Sequence, residues 1–348
     1  MDEHFRNGRF LNPGVTEHGF RDLYRWIRNR TPGPWPAWIP STPGPPPPAK
    51  VDGTDLRVTF VNHSTVLLQT AGINFLTDPI WSRRASPVSF AGPPRHRDPG
   101  LRFDDLPPIH AILLSHNHYD HFDRPTLRRL WKRDRPVVFC ALGDARALRR
   151  IGFREIHEND WGQSQPWGSF RIHCVPAQHF ASRTPFDRNR TLWCGWVLES
   201  AAGNVYFAGD TGFGPFFQEI RERFAPLRLA LLPIGAYSPE WFMGPVHMTP
   251  KQAVEARRIV DAATAIGIHY GTFALADDGY ADPPRHLRDA LDGAPDAERF
   301  WLLPEGGGRL IPELAAAALP VESAGVQPVQ VLPDKPRFQS RETVPDPT

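Results

Sequence analysis

A layered α/β fold, with sheets packed against helices, is the architecture this sequence predicts, and three observations carry the prediction. Short apolar runs recur throughout residues 51–312, each bounded by polar or turn residues. Amphipathic stretches of helical period fall between several of them. The same region holds neither an internal repeat nor a linker-like composition, so it reads as one continuous globular domain. With 348 residues, 41% hydrophobic and 22% charged, the chain is long enough to bury a sizeable core.

Residues 1–50 form an arm ahead of that domain. In GFRDLYRWIRNR, Phe20, Leu23, Tyr24 and Ile27 follow the i, i+3, i+4, i+7 spacing of one helix face. Arg21, Arg25, Arg28 and Arg30 fall mostly on the others. Residues 32–48 hold nine prolines and read as an extended polyproline spacer, because proline lacks the N–H that a helix or inner strand requires. Next, RVTFVNHSTVLLQT (57–70) and INFLTD (73–78) read as two paired strands turning at Ala71-Gly72. Further strands are expected in HAILLSH (110–116), RPVVFCAL (135–142), FRIHCVPAQHF (170–180), LWCGWVLES (192–200), NVYFAGD (204–210), RLALLPIGA (228–236) and TAIGIHYG (264–271). RPTLRRLWKRD (124–134) reads as a helix. TPKQAVEARRIVDA reads as another, with Thr249 as N-cap, Pro250 at the first helical position and Gln252 completing a capping box. Residues 313–348, Pro-rich and polar after a short Ala-rich piece, read as a disordered tail.

Composition excludes some roles. A formal charge of +2 is too small to argue for nucleic acid as a partner. Cys140, Cys174 and Cys194 are odd in number, form no CxxC and lie in apolar runs, which points to free buried thiols in a reducing compartment. The polar N-terminus lacks the apolar core of a signal peptide, and no stretch approaches 18 uninterrupted apolar residues. The expectation is a cytoplasmic protein, peripheral at the inner membrane face.

SHNHYDHFD, residues 115–123, places three histidines and two aspartates in nine positions. Such a cluster is costly to bury unless a cation ties it together. Four apolar runs end in candidate ligands: His116, His118, Asp120 and His121 after the first, then His179, Asp210 and His269. His116 and His118, two apart in extended chain, project to one side and can share an ion. Imidazole and carboxylate donors without cysteine suit zinc in a catalytic site. Seven candidates are too many for one tetrahedral zinc and suit two. The assignment is His116, His118 and His179 on one ion, Asp120, His121 and His269 on the other, and Asp210 bridging. Each ion keeps a position for a shared water or hydroxide, and Asp120 can orient it.

SHNHYDH, QH at 178–179, AGDTG at 208–212 and IHYG at 268–271 resemble, in order and spacing, the metallo-β-lactamase superfamily. TDPIWSRRASPVSFAGPPRHR, LPPIHAILLSHNHYDHFD, LWCGWVLES, IGAYSPEWFM and IHYGTFALADDGYADPP resemble, more specifically, the N-acylphosphatidylethanolamine-hydrolysing phospholipase D family. The resemblance implies a four-layer αββα sandwich with two zinc ions at one edge. It also implies hydrolysis of a phosphodiester to phosphatidic acid and N-acylethanolamine, with the seven ligands above at the family's metal positions. Catalytic roles then fall to Asp120, Asp210 and His247, the last a candidate for proton transfer to the leaving alkoxide. His63 also matches a family position; it reads either as a site residue or as one bonding a backbone carbonyl beneath the site. Arg83, Arg84, Arg95 and Arg97 are candidates to pair with a lipid phosphate, or else form a solvated basic surface. The implied partners are a phospholipid substrate and an anionic membrane surface, with a homodimer left open.

Two other readings stay open: a hydrolase of the same fold acting on a small soluble phosphodiester or lactone, and a non-catalytic membrane-binding module. The apolar face of residues 19–39, followed by Trp35 and Trp38, suits an interfacial helix, yet it would look identical if docked on the protein's own core. On the interfacial reading, deleting residues 1–40 would leave metal content intact.

Overall fold

The computed structural model describes residues 4–16 and 18–314; the expected tail, beyond its first two residues, lies outside them. A short hairpin, β1 (Phe5–Arg6) and β2 (Arg9–Phe10), precedes helix α1 (Phe20–Arg28). The first sheet is then laid down by β3 (Leu56–Asn62), β4 (Thr65–Thr70), β5 (Ile73–Thr77), β6 (Ala111–Leu113), β7 (Val137–Ala141) and β8 (Ile156–Asn159). Helices α2 (Arg124–Asp134) and α3 (Ala145–Ile151) cover its outer face. The second sheet follows as β9 (Ser164–Trp167), β10 (Phe170–Val175), β11 (Gly195–Glu199), β12 (Asn204–Phe207), β13 (Leu227–Pro233), β14 (Ala262–Ile268) and β15 (Phe300–Trp301). Its helices are α4 (Phe216–Phe224), a short α5 (Glu240–Met243), α6 (Pro250–Ile259) and α7 (Asp282–Leu291). The chain finally returns as β16 (Gly308–Ile311) to pair antiparallel with β3. Among the described residues each sheet has seven strands, in the orders β16-β3-β4-β5-β6-β7-β8 and β15-β14-β13-β12-β11-β10-β9.

The apolar pattern explains the four layers. Phe60, Phe75 and Phe139 of one sheet meet Ile172, Trp196, Leu229 and Ile266 of the other in a shared core. The opposite faces of the same strands pack on helices, Val138 and Ile112 against Leu127 and Leu148, Leu232 and Ala230 against Phe217 and Val254. Strands such as β13 are therefore buried along both faces, which is why they appear in sequence as unbroken apolar runs. The result is an αββα sandwich. The α6 capping box forms as predicted: Thr249 Oγ1 accepts from Gln252 N (3.2 Å) and Gln252 Oε1 accepts from Thr249 N (2.8 Å).

Three expectations change. Residues 57–70 are two strands rather than one, because the chain reverses at His63-Ser64 with His63 at φ 49°. The polar strands β8 and β9 were not evident, since edge strands need no alternating apolar pattern. The proline-rich segment is no free spacer. It is strapped to the domain through Gly33 N to Asp277 O (2.7 Å), Ile39 N to His96 O (2.7 Å) and Gly44 N to Gly100 O (2.7 Å).

Cys140, Cys174 and Cys194 are free and buried in the hydrophobic interior. Changing all three to Ala is expected to lower stability by about 1–2 kcal/mol per site, as core truncations do, and to leave metal content unchanged. Thermal melting and elemental analysis would check this; loss of one metal equivalent from any single change would contradict the all-N/O donor set. Among the described residues, no helix is long and apolar enough to cross a membrane.

Candidate metal centre

The candidate ligands converge because strand ends deliver them to one edge of the sandwich. The chain leaving β6 supplies His116, His118, Asp120 and His121; β10 leads to His179, β12 to Asp210, and β14 to His269. His116, His118 and His179 form one group, with His116 Nε2 2.8 Å and His179 Nε2 3.2 Å from His118 Nδ1. Asp120, His121, His269 and His63 form a second. Asp210 Oδ2 is shared: it lies 3.1 Å from His121 Nε2, 3.0 Å from His269 Nε2 and 3.8 Å from His179 Nε2.

Hydrogen bonding alone does not account for this packing. Three imidazole nitrogens facing one another cannot all be matched by protons, and the buried Nε2 atoms of His121 and His269, though 3.1 and 3.0 Å from Asp210 Oδ2, and Oδ1 of Asp210 make no well-aligned hydrogen bond. A divalent cation in each group fits this donor set. Burial, reinforced by repulsion from neighbouring imidazoles, drives His118 down to about 4 and pushes His116 and His179 well below the ordinary histidine range, so all three are neutral and able to ligate. Burial works against the Asp210 charge too, but His121 and His269 outweigh it and hold the carboxyl well below its usual range. Burial likewise opposes protonation of His121, yet Asp210, Asp120 and Asp78 prevail and raise it well above its ordinary value.

Outer contacts fix the ligands. His121 Nδ1 donates to Asp78 Oδ2 (2.6 Å), a fully buried carboxylate that also accepts from Ser115 N (2.8 Å) and Ser115 Oγ (2.5 Å). Ser115 Oγ in turn lies 2.9 Å from His116 Nδ1, so one aspartate orients ligands of both groups. His179 Nδ1 donates to Val246 O (2.9 Å). His269, at φ 59°, donates its main-chain N–H to His63 O (2.8 Å), joining two left-handed residues at the floor of the site. His63 itself bonds the Asp120 carboxylate (Nε2 to Oδ2 2.9 Å), not a backbone carbonyl. His247 stands beside His179 and His269, at ring distances of 5.0 and 5.2 Å. Burial brings its pKa down to about 3, so it is a neutral imidazole rather than a ready acid.

The four predicted arginines do not reach the site. Arg84 bonds Ser89 O (3.1 Å) and Gly92 O (2.6 Å), and buried Arg95 bonds Ser82 O (2.9 Å) and Ile80 O (3.3 Å). Arg97 pairs with Glu305 (2.6 Å), and Arg83 lies 5.4 Å from the Trp38 ring. Arg84 and Arg95 brace their own loop, while Arg97 and Arg83 engage other segments, and sequence proximity could not distinguish these roles from substrate contact. Among the described residues, the Lys or Arg in the cavity wall is Arg188, whose guanidinium lies 4.2 Å over the Phe180 ring.

The cavity itself is about 500 Å³ and opens above His118, Asp120, Asp210 and His247. Much of its wall is apolar and comes from the N-terminal arm: Val15, Phe20, Leu23 and Trp26 face Phe242, Met243 and Leu275. Helix α1 docks through Trp26, which stacks on Phe242 (4.9 Å) and donates to Asp277 (3.2 Å), while Arg30 pairs with Asp277 (2.7 Å). The predicted apolar face points outward, with Phe20 89%, Tyr24 64% and Ile27 58% exposed. Trp35 by contrast packs against His96 and Tyr280 and is engaged in the fold.

Two residues that sequence reasoning missed matter here. Asp78 could have been flagged as an acid closing the apolar run INFLTD. Asn12, which holds His179, gave no signal at all.

A β-lactamase superfamily domain model matches residues 73–270. The chain is 38% identical over 253 residues to N-acyl-phosphatidylethanolamine-hydrolyzing phospholipase D 1 of Caenorhabditis elegans, covering 69% of this chain and 71% of that relative. It is 31% identical over 236 residues to the mitochondrial enzyme of that description from Saccharomyces cerevisiae, covering 66% of this chain and 50% of the yeast protein. Among solved structures, an isothiocyanate hydrolase from Delia radicum gut bacteria superposes with a TM-score of 0.59 at 20% identity, over 73% of this chain and 99% of that one.

Proposed function

The chain belongs to the N-acyl-phosphatidylethanolamine-hydrolysing phospholipase D family of the β-lactamase superfamily and is a metal-dependent hydrolase, and from that premise we propose that it is a di-zinc phosphodiesterase acting on N-acylphosphatidylethanolamine-type lipids. Water is added across the phosphodiester, the bond from phosphorus to the ethanolamine oxygen breaks, and N-acylethanolamine and phosphatidic acid leave. One observation carries the reading: two ligand groups joined through Asp210 floor a cavity whose wall is apolar and continues onto the exposed face of α1. A small soluble substrate has no use for that wall.

His116, His118 and His179 would hold one zinc, and Asp120, His121 and His269 the other, with Asp210 between them. When bound, the pair supplies Lewis acidity, lowers the pKa of water and offsets charge developing on the phosphoryl oxygens. The chain's own residues do the rest. Asp120, anchored by His63, can orient the attacking water through a carboxylate that His121, His269 and His63 hold ionised against burial. His247, neutral, can relay a proton near the leaving oxygen, taking one up on one ring nitrogen as it gives up the other, but does not begin as imidazolium. The apolar wall excludes bulk water and accepts acyl chain.

Incubation with vesicles of mixed phospholipids, read by lipid mass spectrometry, tests the substrate. N-acylethanolamine and phosphatidic acid should appear from N-acylphosphatidylethanolamine and depend on added zinc after chelation. Turnover of a soluble diester or lactone with the lipid untouched would favour the small-substrate reading instead.

The proposal includes peripheral binding to an anionic membrane, since a lipid with two acyl chains on glycerol and a third on nitrogen does not leave its bilayer readily. Tyr24 and Ile27 supply an outward apolar surface, with Arg21, Arg25 and Arg28 on the same short helix to meet headgroups. Changing Tyr24 and Ile27 together to Ser should lower sedimentation with anionic liposomes about severalfold, in a salt-sensitive way, and leave hydrolysis of a soluble diester unaltered. Unchanged sedimentation would remove α1 as the contact.

A further inference from the structure

His179 lies four residues beyond the end of β10, in a loop, and a metal ligand in a loop needs something to hold its main chain. That something comes from the far end of the chain, 167 positions earlier. Asn12 Nδ2 donates to His179 O (2.7 Å), and Asn12 Oδ1 accepts from His179 N (3.2 Å). The side-chain amide thus does for His179 what a neighbouring strand would do, satisfying both backbone groups of one residue. Its orientation is fixed in turn by Trp193, whose Nε1 donates to Asn12 Oδ1 (3.2 Å) and to Ala177 O (2.9 Å). With Nδ1 of His179 already committed to Val246 O (2.9 Å), its Nε2 has one direction left, toward His118 and Asp210.

The arm around Asn12 is built in rather than laid on. Phe10 is buried in the core between the sheets, and its N–H donates to Asn189 O (2.8 Å). His4 bonds Asp160 (2.8 Å) and stacks on Trp161 at 4.6 Å. Asn12 is itself buried and lines the cavity next to His179.

We propose that Asn12 is a positioning residue for the His179 ligand, which makes the N-terminal arm a structural part of the His116–His118–His179 group. This rests on the metal-centre reading above, and it reverses the expectation that residues 1–40 can be removed without loss of metal. Without the amide, two buried backbone groups lose their partners and the loop relaxes, so binding a cation must first reorder the ligand.

The experiment is a titration of the metal-free full chain with Zn²⁺ against a chelating indicator, paired with the visible spectrum of the Co²⁺-loaded protein. Asn12→Ala should weaken one of the two metal equivalents by about 10–100-fold, the range for lost contacts behind a ligand, and shift the Co²⁺ bands. Asn12→Asp keeps both acceptor contacts but sets a carboxylate oxygen against His179 O where the amide donated, so it should weaken the same equivalent at least as much as Asn12→Ala. Trp193→Phe, which removes the indole N–H that fixes the amide's orientation, should weaken it less and covers the case in which Asn12→Ala fails to fold. His4→Ala, which loosens the arm away from His179, should change neither affinity by more than about twofold, a small fraction of the effect of a lost ligand contact. A folded Asn12→Ala protein with both wild-type affinities and an unshifted spectrum overturns the proposal. Equal weakening by His4→Ala does so too, since the arm would then act only through general stability. Wild-type protein that binds no zinc would overturn the metal-centre reading and this inference with it, whereas normal wild-type binding with an unaffected Asn12→Ala protein sinks the inference alone.

Discussion

Asp210→Asn should lose metal, and with it about a hundredfold or more of the hydrolytic rate, the largest effect expected from any single change. Asp210 Oδ2 lies within reach of both groups, 3.0 Å from His269 Nε2, 3.1 Å from His121 Nε2 and 3.8 Å from His179 Nε2. A neutral amide of the same shape keeps the packing but removes the charge that offsets repulsion between two cations. It also removes the main anion facing His121, whose imidazole Asp210 holds above its ordinary range against burial. Elemental analysis of the purified variant should find fewer than two zinc per chain, and turnover should not recover in excess zinc. Full zinc content with near-normal turnover would show that Asp210 does not bridge.

Asp78→Asn is expected to cost about 10–100-fold in metal affinity, although Asp78 lies outside the proposed ligand set. The carboxylate accepts three hydrogen bonds, from His121 Nδ1, Ser115 N and Ser115 Oγ, and is fully buried. An amide has only one acceptor oxygen. If that oxygen stays with Ser115 N, the amide NH₂ takes the place of Oδ2, faces both Ser115 Oγ and His121 Nδ1, and forces the imidazole nitrogen to become an acceptor. The proton then moves to Nε2, the nitrogen aimed at Asp120 and Asp210, where it blocks coordination. Zinc titration of the folded variant is the direct check, with nitrogen-15 imidazole shifts of His121 reporting the tautomer. Wild-type affinity with an unchanged tautomer would reduce Asp78 to a packing role.

How legible the site was depended on how each residue reaches it. His116, His118, Asp120 and His121 share one loop, so their spacing announces them. His179, Asp210 and His269 each close an apolar run, and a strand end is a place that sequence can mark. His63 was ambiguous because a histidine at a hairpin turn looks the same whether it faces a carbonyl or, as here, Asp120. The arginines of residues 83–97 show the opposite failure: local clustering suggested an anion site, but backbone carbonyls and Glu305 engage three of them.

By itself the sequence determined the layered α/β class, the α6 capping box, most of the strands in the sheet interiors and the seven convergent His and Asp residues. All of these rest on local rules: side-chain periodicity, cap chemistry and donor spacing within one segment. Only the tertiary structure decided that α1 docks through Trp26 and leaves Phe20, Tyr24 and Ile27 outside, because helical periodicity reports that a face is apolar and not what covers it. It alone decided that Asp78 stands behind His121 and that Asn12 stands behind His179. Those contacts join segments 43 and 167 positions apart, and their hydrogen bonds leave no periodic trace in the chain that makes them.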